Sequence, residues 1–388
     1  MARTRSAPLV GSRQSAMLLV HQFLGTYLVG WVRTATKGRV TAAPVLVTAP
    51  AGPASSPAGG LPDGGLAFAT RAALPQDAAS ASNEGTPGVR MIHIDEDQAA
   101  LRPLIEAGAD GRRGTLIELL PEVLTDAEHG ALLILLDVSA ASLPLADLTE
   151  LLIGPRAGRW PASDVIVLAR ADAIRRTAVN LTGGRRSAAA LEKLDRAVGV
   201  EWRAEYASGG AGAVVRGYLR RLEAALPGRA WPAAIRLNPS DDEPLFWLIL
   251  ITRQPHGAWA FADAVARARR GWRRALRQAG AADAPDEDQL TVDGLLGAER
   301  LVVGAERHEE RAVVENLKQN LLATRRRVGE FRISDRPREV LEGLFGTADT
   351  AQIRAAVREL HAAGKTLSTG VGGDIRDHVL RLPDRRSR

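Results

Sequence analysis

Cysteine is absent from the 388-residue chain. Without thiols the protein can form no disulfide bridge, no cysteine-ligated zinc or iron–sulfur site and no cysteine nucleophile. The sequence also contains no Walker A loop and no Gly-x-Ser-x-Gly turn, and its seven histidines show no His-Glu-x-x-His spacing. These absences argue against P-loop, serine-hydrolase and zinc-peptidase chemistry. We therefore expect no metal site and a cytoplasmic protein.

Lysine is scarce as well, since it supplies only four of the 51 basic residues. The net charge of +6 therefore rests on arginine. A composition rich in arginine, alanine, glycine and proline is typical of a GC-rich genome, so the overall charge is weak evidence for an acidic partner. Local clusters of arginine are better evidence for nucleic-acid binding.

One apolar run, residues 16–32, follows three arginines and is similar in length to a signal sequence or a short membrane span. His21 and Gln22 interrupt the run, and Arg33 follows its end. This pattern favours a first helix that packs in the core. Membrane association is the alternative, and we expect no membrane partner.

Short apolar runs alternate with helical patterns, which is typical of a mainly parallel sheet with crossover helices. The predicted strands are 44–49, 90–94, 115–119, 131–137, 164–169 and 246–252. The predicted helices between them are 98–108, 145–153, 171–180, 187–198 and 212–226. The sequence thus predicts an α/β fold.

The last third of the chain has a different character. Long helices are predicted over 258–279 and 305–328, with a polar linker at 281–289. Two helices and a glycine-tipped β-hairpin then follow, an order typical of a winged helix. The predicted elements are 337–345, 350–364, 365–368 and 378–382. We predict three parts: 1–280, 281–332 and a winged-helix-like domain at 333–388.

A loop rich in small residues follows the first predicted strand, where nucleotide-binding sheets hold their ligand. Here Thr48-Ala49-Pro50-Ala51-Gly52-Pro53-Ala54 resembles the Asp-Gly-Phe-Ala-Gly-Pro-Gly motif of the three-Cys-motif partner family. Three of its positions match that motif: Ala51, Gly52 and Pro53.

Further segments resemble the same family in the same order. The second strand, typically Phe-Ile-Glu-x-Asp, reads Met-Ile-His-Ile-Asp here, with His93 in place of Glu while Asp95 is kept. The fourth strand ends in Asp137 but lacks the following Pro-Phe-Gly. A late segment, residues 251–259, also resembles a family motif. The likeness covers roughly residues 14–275.

The resemblance implies a class I methyltransferase-like Rossmann sheet that binds S-adenosylmethionine. It implies cofactor-binding positions at Thr48, Ala51, Gly52, Pro53, His93 and Asp95, and a catalytic carboxylate at Asp137. It also implies a three-Cys-motif companion protein. Because Thr48 and His93 replace acids, two charge-assisted hydrogen bonds are lost, each worth about 1.5–3 kcal/mol. We therefore expect weak or absent cofactor binding and a non-catalytic protein.

Simpler roles for the same residues stay open. Asp137 at a strand end can cap the next element, and His93 can be a buried partner within the sheet. Asp95 with Glu96 and Asp97 can be an acid cluster that favours the start of a helix.

Two groups of arginines are candidates for nucleic-acid binding. Helical spacing places Arg267, Arg270, Arg274 and Arg277 on one face. In the predicted winged-helix-like domain at 333–388, called the tail below, the candidates are Arg354, Arg358 and Arg376. A solvated or acid-paired face is the alternative for the first group, and protein docking is the alternative for the tail.

Three functions remain. The first is a non-catalytic methyltransferase-like protein that binds DNA or a partner protein. The second is an active S-adenosylmethionine-dependent nucleic-acid methyltransferase. The third is a structural subunit that uses the apolar first helix as its contact.

Overall fold

The computed structural model describes residues 13–36, 42–50, 66–74, 88–137, 144–153, 163–182, 188–236, 244–282 and 292–381. The chain forms two compact units, one over Val10–Gly257 and one over Ala258–Arg388.

A seven-stranded sheet forms the centre of the first unit. Its strands are β1 (Val45–Ala49), β2 (Arg90–Asp95), β3 (Asp110–Arg113), β4 (Leu132–Asp137), β5 (Ser163–Arg170), β6 (Ala230–Ile235) and β7 (Phe246–Ile251). The order across the sheet is β3-β2-β1-β4-β5-β7-β6, with β7 antiparallel to both of its neighbours and the other pairs parallel. This is a mostly parallel, Rossmann-like sheet with crossover helices. The predicted α/β class is confirmed.

One helix precedes the first strand, and others lie between the strands along the chain. They are α1 (Arg13–Ala35), α2 (Leu66–Ala73), α3 (Gln98–Glu106), α4 (Leu116–Asp126), α5 (Leu145–Ile153), α6 (Ala171–Val179), α7 (Ala188–Val198) and α8 (Trp202–Ala225). Helix α8 contains a break at Gly209 and Gly210, where the backbone angles are not helical.

One strand prediction is wrong, and two strands, β3 and β6, were not predicted. The segment 115–119 is the start of α4, because Thr115 and Glu118 form a capping box that initiates a helix. Strand β6 was not predicted, because Pro232 lies in its middle. Proline is tolerated there because β6 is an edge strand, where the missing N–H leaves no ladder partner unpaired.

The first helix packs in the core, as predicted. Leu19, Phe23, Leu24 and Leu28 are each at most 1% exposed, and their spacing of three to four residues places them on one face. None of the helices in the described ranges has both the length and the hydropathy that a membrane crossing requires.

A buried carboxyl group lies where α1 meets the sheet. Asp164 on β5 is 6% exposed, and the side chains of Trp31 and Thr252 hydrogen-bond to it. Burial raises the pKa of Asp164 to about 6, although the two hydrogen bonds oppose this shift. The folded protein therefore binds a proton here more tightly than the unfolded chain does.

The second unit has its own core. Its elements are α9 (Pro255–Ala282), which begins at the end of the first unit, α10 (Val292–Val328), β8 (Phe331–Arg332), α11 (Pro337–Val340), α12 (Thr350–Ala362) and β9 (Val379–Leu380). The indole N–H of Trp259 donates to the carbonyl oxygen of Ser334 at 3.0 Å, and the rings of Phe261 and Phe345 stack. These contacts join α9 to the tail, so the units divide at 257/258 rather than at 280/281.

The predicted hairpin in the tail does not form as such. Strand β9 pairs antiparallel with β8, which lies before the two helices. The segment 365–368 is not a strand, although the N–H of Leu367 donates to the carbonyl oxygen of Arg381 at 3.0 Å. The glycine turn was correctly placed, but the partner of the last strand lies almost fifty residues away in sequence.

Asp164→Asn tests the buried carboxyl group. Its raised pKa means that the contribution of Asp164 to stability is fully present below pH 4 and is lost as the pH rises through 6. A shift of about two pKa units corresponds to about 3 kcal/mol. We expect the free energy of unfolding of the variant to gain about that amount relative to wild type between pH 4 and pH 7. Urea denaturation measures this, with the exposed Glu128→Gln as control; parallel profiles for wild type and D164N would contradict it.

Gly130→Ala tests the close approach of two backbone segments before β1 and β4. A Cβ at residue 130 would lie 2.2 Å from the carbonyl oxygen of Ala43. We expect the substitution to lower the free energy of unfolding by about 1–3 kcal/mol. The matched control is Gly30→Ala in α1, where nothing lies within 4 Å, and alanine should stabilise by about 0.5–1 kcal/mol. Thermal denaturation of both variants measures the difference, and equal effects would refute the packing account.

Candidate functional site

The strand order reverses between β1 and β4, which marks the switch point where such sheets bind ligands. Four chain segments end at this carboxyl edge. They place Pro50 after β1, Asp95 at the end of β2, Asp137 at the end of β4 and Arg170 at the end of β5. The edge therefore carries two carboxylates and one guanidinium.

A cavity of about 220 Å³ opens at the ends of β1 and β2. It is lined by Ala49, Pro50, Ile94, Asp95, Glu96, Asp97, Gly114, Thr115, Leu116 and Lys193. Of the predicted cofactor-binding residues, Asp95 lies in this lining. The predicted position is thus at a concave site on the edge of the sheet.

Local hydrogen bonds shape the cavity wall. The Asp95 carboxylate accepts from the N–H of Asp97 at 2.9 Å, and the Asp95 carbonyl accepts from the N–H of Gly114 at 3.0 Å. Asp97 and Thr115 are the N-caps of α3 and α4, so two helices begin at the cavity. Helix N-termini favour negative charge and hydrogen-bond acceptors.

Lys193 closes one side of the cavity from a distant part of the chain. Its ammonium group lies 2.9 and 3.0 Å from the two carboxylate oxygens of Glu96. Both side chains are about half exposed, so this ion pair contributes little to stability. It does set the charge at the mouth of the cavity.

Thr48 and His93 do not line the cavity. They are paired neighbours on β1 and β2, both 0% exposed, and Thr48 Oγ1 lies 2.8 Å from His93 Nδ1. The two residues that replace family acids thus form a hydrogen bond with each other inside the sheet. In this position they cannot accept a hydrogen bond from a ligand in the cavity.

The imidazole of His93 is held neutral. Burial, together with the nearby charge of Arg71, lowers its pKa from 6.5 to about 4, and Asp110 acts in the opposite direction. Its Nε2 has no hydrogen-bond partner among the described residues. A charged imidazolium in this place would be buried without compensation.

Asp137 lies at the end of β4 and is 8% exposed. Its Oδ2 lies 3.2 Å from Nε of Arg170 on the next strand, as an ion pair without hydrogen-bond alignment. Both side chains are largely buried, so the interaction is little screened by solvent. The carboxylate predicted to be catalytic is therefore next to a positive charge.

Three predicted cofactor-binding residues, Ala51, Gly52 and Pro53, lie outside the described residues, as do Val138 and Ser139 after β4. Within the described ranges, no group of three histidine or acidic side chains could hold a metal ion.

The predicted nucleic-acid-binding arginines mostly contact groups of the chain itself. Arg267 pairs with Asp263, Arg270 with Asp349 and Arg376 with Asp374. Arg354 donates to the carbonyl oxygens of Gly370, Gly372 and Gly373 at 2.6–3.2 Å. Arg274 and Arg358 are exposed, and the side chain of Arg277 lies outside the described residues.

The start of α12, a helix of the predicted winged-helix-like domain, is used for capping. Asp349 and Gln352 form a capping box, and the N–H of Thr350 donates to Asp263 on α9 at 2.8 Å. Asp349 is 6% exposed. The backbone N–H of Thr350 and the side-chain oxygen of Gln352 therefore form contacts within the protein.

Sequence reasoning missed Arg170 and Lys193. Arg170 ends a buried apolar strand, and a charged residue at that point is a signal for the carboxyl edge of a sheet. Lys193 gives no such signal, because it lies on an ordinary amphipathic helix and reaches Glu96 only through the tertiary fold.

His93→Gln tests the buried imidazole. Because its pKa is lowered from 6.5, the contribution of His93 to stability is complete above that pH and declines as the pH falls towards 4. The shift corresponds to about 3 kcal/mol. We expect the variant to lose this decline, whereas the exposed His129→Gln keeps it. Urea denaturation between pH 4 and pH 7 measures the effect, and an unchanged profile for H93Q would show that the imidazole is not held neutral.

No protein-family model matches the chain, and no curated protein matches it. Among solved structures it is similar to the plantazolicin methyltransferase BamL, solved with a triazolic desmethylPZN analog and SAH. The identity is 12%, the match covers 63% of this chain and 86% of that chain, and the TM-score is 0.29. A similarity this low carries no conclusion about this chain's ligand or activity.

Proposed function

We propose that the chain is a divergent, cytoplasmic relative of the three-Cys-motif partner family that does not transfer methyl groups efficiently. It acts instead by binding nucleic acid or a partner protein. The observation that carries this proposal is the ion pair between Asp137 and Arg170 at the carboxyl edge of the sheet.

The ion pair opposes amine methylation for an electrostatic reason. In such a reaction, an acceptor at the end of β4 holds the target amine while positive charge develops on its nitrogen. Arg170 places a fixed positive charge 3.2 Å from the carboxylate that would stabilise this change. A neighbouring cation weakens the acceptor and repels the developing charge.

The cavity fits part of S-adenosylmethionine, namely its ribose. Asp95 lies at the end of β2, where its carboxylate can accept hydrogen bonds from the two ribose hydroxyls. Thr48 and His93 are closed to the ligand, so Asp95 is the acceptor that would hold the cofactor there. When bound, S-adenosylmethionine supplies an electrophilic methyl group. With two acidic partners lost, we expect weak binding.

A second candidate is an active S-adenosylmethionine-dependent nucleic-acid methyltransferase. It is favoured by Asp95 in the cavity and by Asp137 at the end of β4, the two positions that the resemblance requires. It requires Arg170 to release Asp137 when a substrate binds. Tight cofactor binding and methyl transfer distinguish this candidate from the first.

The binding role rests on the second unit. Helices α11 and α12 lie between β8 and β9, which supports a winged-helix-like domain. Because the start of α12 is capped by Asp263 and Asp349, protein docking is favoured over DNA reading by that helix end. The partner protein that the family resemblance implies is a three-Cys-motif companion. The alternative contact, the apolar first helix, is less suitable because that face is buried within the chain.

Calorimetric titration with S-adenosylmethionine and S-adenosylhomocysteine tests the proposal. Each lost charge-assisted hydrogen bond weakens binding about ten- to a hundredfold, so we expect dissociation constants near the millimolar range. Asp95→Asn should weaken residual binding about tenfold further, whereas Glu122→Gln on α4, outside the cavity lining, should not change it. Micromolar binding, together with methyl transfer to nucleic acid that Asp137→Asn abolishes, would establish the active enzyme instead.

A further inference from the structure

A second cavity, of about 290 Å³, lies within the second unit between α9 and α10. Its lining is rich in arginine and comprises Ala266, Arg269, Arg270, Gly271, Arg273, Arg274, Glu309, Glu310, Val313, Thr347 and Gln352. It contains none of the residues of the sheet site. Its chemistry is therefore independent of whether the sheet binds a cofactor.

Four arginines of α9 form one wall. Arg269, Arg270, Arg273 and Arg274 follow the spacing i, i+1, i+4, i+5, which places them side by side on one helix face. The facing helix contributes two carboxylates, Glu309 and Glu310. Four guanidinium groups thus face these two carboxylates, and the Asp349 carboxylate that pairs with Arg270 makes a third, which leaves an excess of one positive charge.

Two of these arginines have clear structural partners. Arg273 pairs with Glu309, and Arg269 donates to the carbonyl oxygen of Gly346 at 3.3 Å and to Thr347 Oγ1 at 3.2 Å. Arg273 is the less exposed member of its pair, at 17%. These contacts hold the arginine face of α9 in one position. The N–H groups of the other two arginines are therefore oriented before a ligand binds.

The other two arginines retain donors. One terminal nitrogen of Arg270, Nη2, pairs with Asp349, whereas the other, Nη1, is buried and has no partner among the described residues. A buried guanidinium nitrogen without an acceptor carries a desolvation cost, so Asp349 satisfies the Arg270 guanidinium only in part. Arg274 is exposed at the rim, and no ion pair of it occurs in the described part of the chain.

Gln352 adds a donor of fixed orientation. Its Oε1 accepts from the backbone N–H of Asp349 at 3.0 Å in the capping box of α12. The amide nitrogen is therefore left to donate elsewhere. With Arg270 and Arg274, it makes the lining rich in donors, and only Glu310 among the lining acids has no ion pair within the described ranges.

We propose that this cavity binds the phosphoryl group of a phosphate monoester. A phosphoryl group offers acceptor oxygens only and carries about −1.5 to −2 charges at neutral pH, which matches the donors and the excess positive charge. Arginine is suited to this contact because its fork binds two oxygens at once. An adjoining cavity of about 740 Å³ shares Arg270, Glu310 and Gln352 and offers space for the rest of the ligand.

Calorimetric titration of the full chain with inorganic phosphate at constant ionic strength tests this site. We expect saturable binding that Arg274→Gln weakens about ten- to a hundredfold, as for the loss of one charge-assisted contact. The matched control is Arg267→Gln on the same helix, which removes an exposed arginine outside the cavity lining. Glu310→Gln should tighten binding because it removes an opposing charge. Circular dichroism of each variant verifies that the helices are retained.

Two oligonucleotides of identical sequence, one 5′-phosphorylated and one with a 5′-hydroxyl, identify the source of the phosphoryl group. A preference for the phosphorylated form that Arg274→Gln removes shows that the site holds a nucleic-acid end. Phosphate binding without such a preference shows that it holds a small phosphorylated molecule. The proposal is overturned if phosphate does not bind at millimolar concentration, or if Arg274→Gln and Arg267→Gln weaken it equally.

Discussion

Asp137 and Arg170 lie at the ends of two neighbouring parallel strands, where both side chains are largely removed from water. In such surroundings the removal of one charged group is costly, because its partner would remain as an unpaired charge away from water. The pair therefore restricts the carboxyl edge of the sheet. At the end of β4, where the resemblance places a catalytic carboxylate, Asp137 is paired with Arg170.

The same principle applies to Thr48 and His93. A polar group inside a sheet must find a hydrogen-bond partner, and here two neighbouring strands supply it in register. Their hydrogen bond closes two positions that the resemblance assigns to the cofactor. Asp95 differs from them because it lies two residues after His93, at the end of β2. There it lines the cavity. One strand thus carries both an internal polar residue and a residue that a ligand can reach.

Much of the fold could be predicted from the sequence because buried parallel strands are continuous apolar runs. The segments 131–137 and 164–169 were recognised in this way. Thr115–Leu119 was misassigned because its apolar pattern is shared by strands and helices, and only the capping contact between Thr115 and Glu118 decides between them. Strand β6 was not predicted because Pro232 lies in its middle, and proline usually argues against a strand.

The candidate site could be predicted only in part. The resemblance to family motifs pointed to Asp95 and Asp137, and both residues do lie at strand ends. The partners could not be predicted, because Thr48 and His93 are 45 residues apart and meet only through strand order and register. The arginines show the same limit: helical spacing places Arg267 and Arg270 on one face, but Asp349 reaches that face from a distant helix.

The central claim is that Asp137 is engaged by Arg170 rather than presented to a substrate. A double-mutant cycle with Asp137→Asn and Arg170→Gln, read out by urea denaturation, tests it most directly. The account predicts a coupling free energy of about 1–3 kcal/mol between the two side chains. Additivity within about 0.5 kcal/mol would mean that the carboxylate is not held by the guanidinium, and would contradict the account.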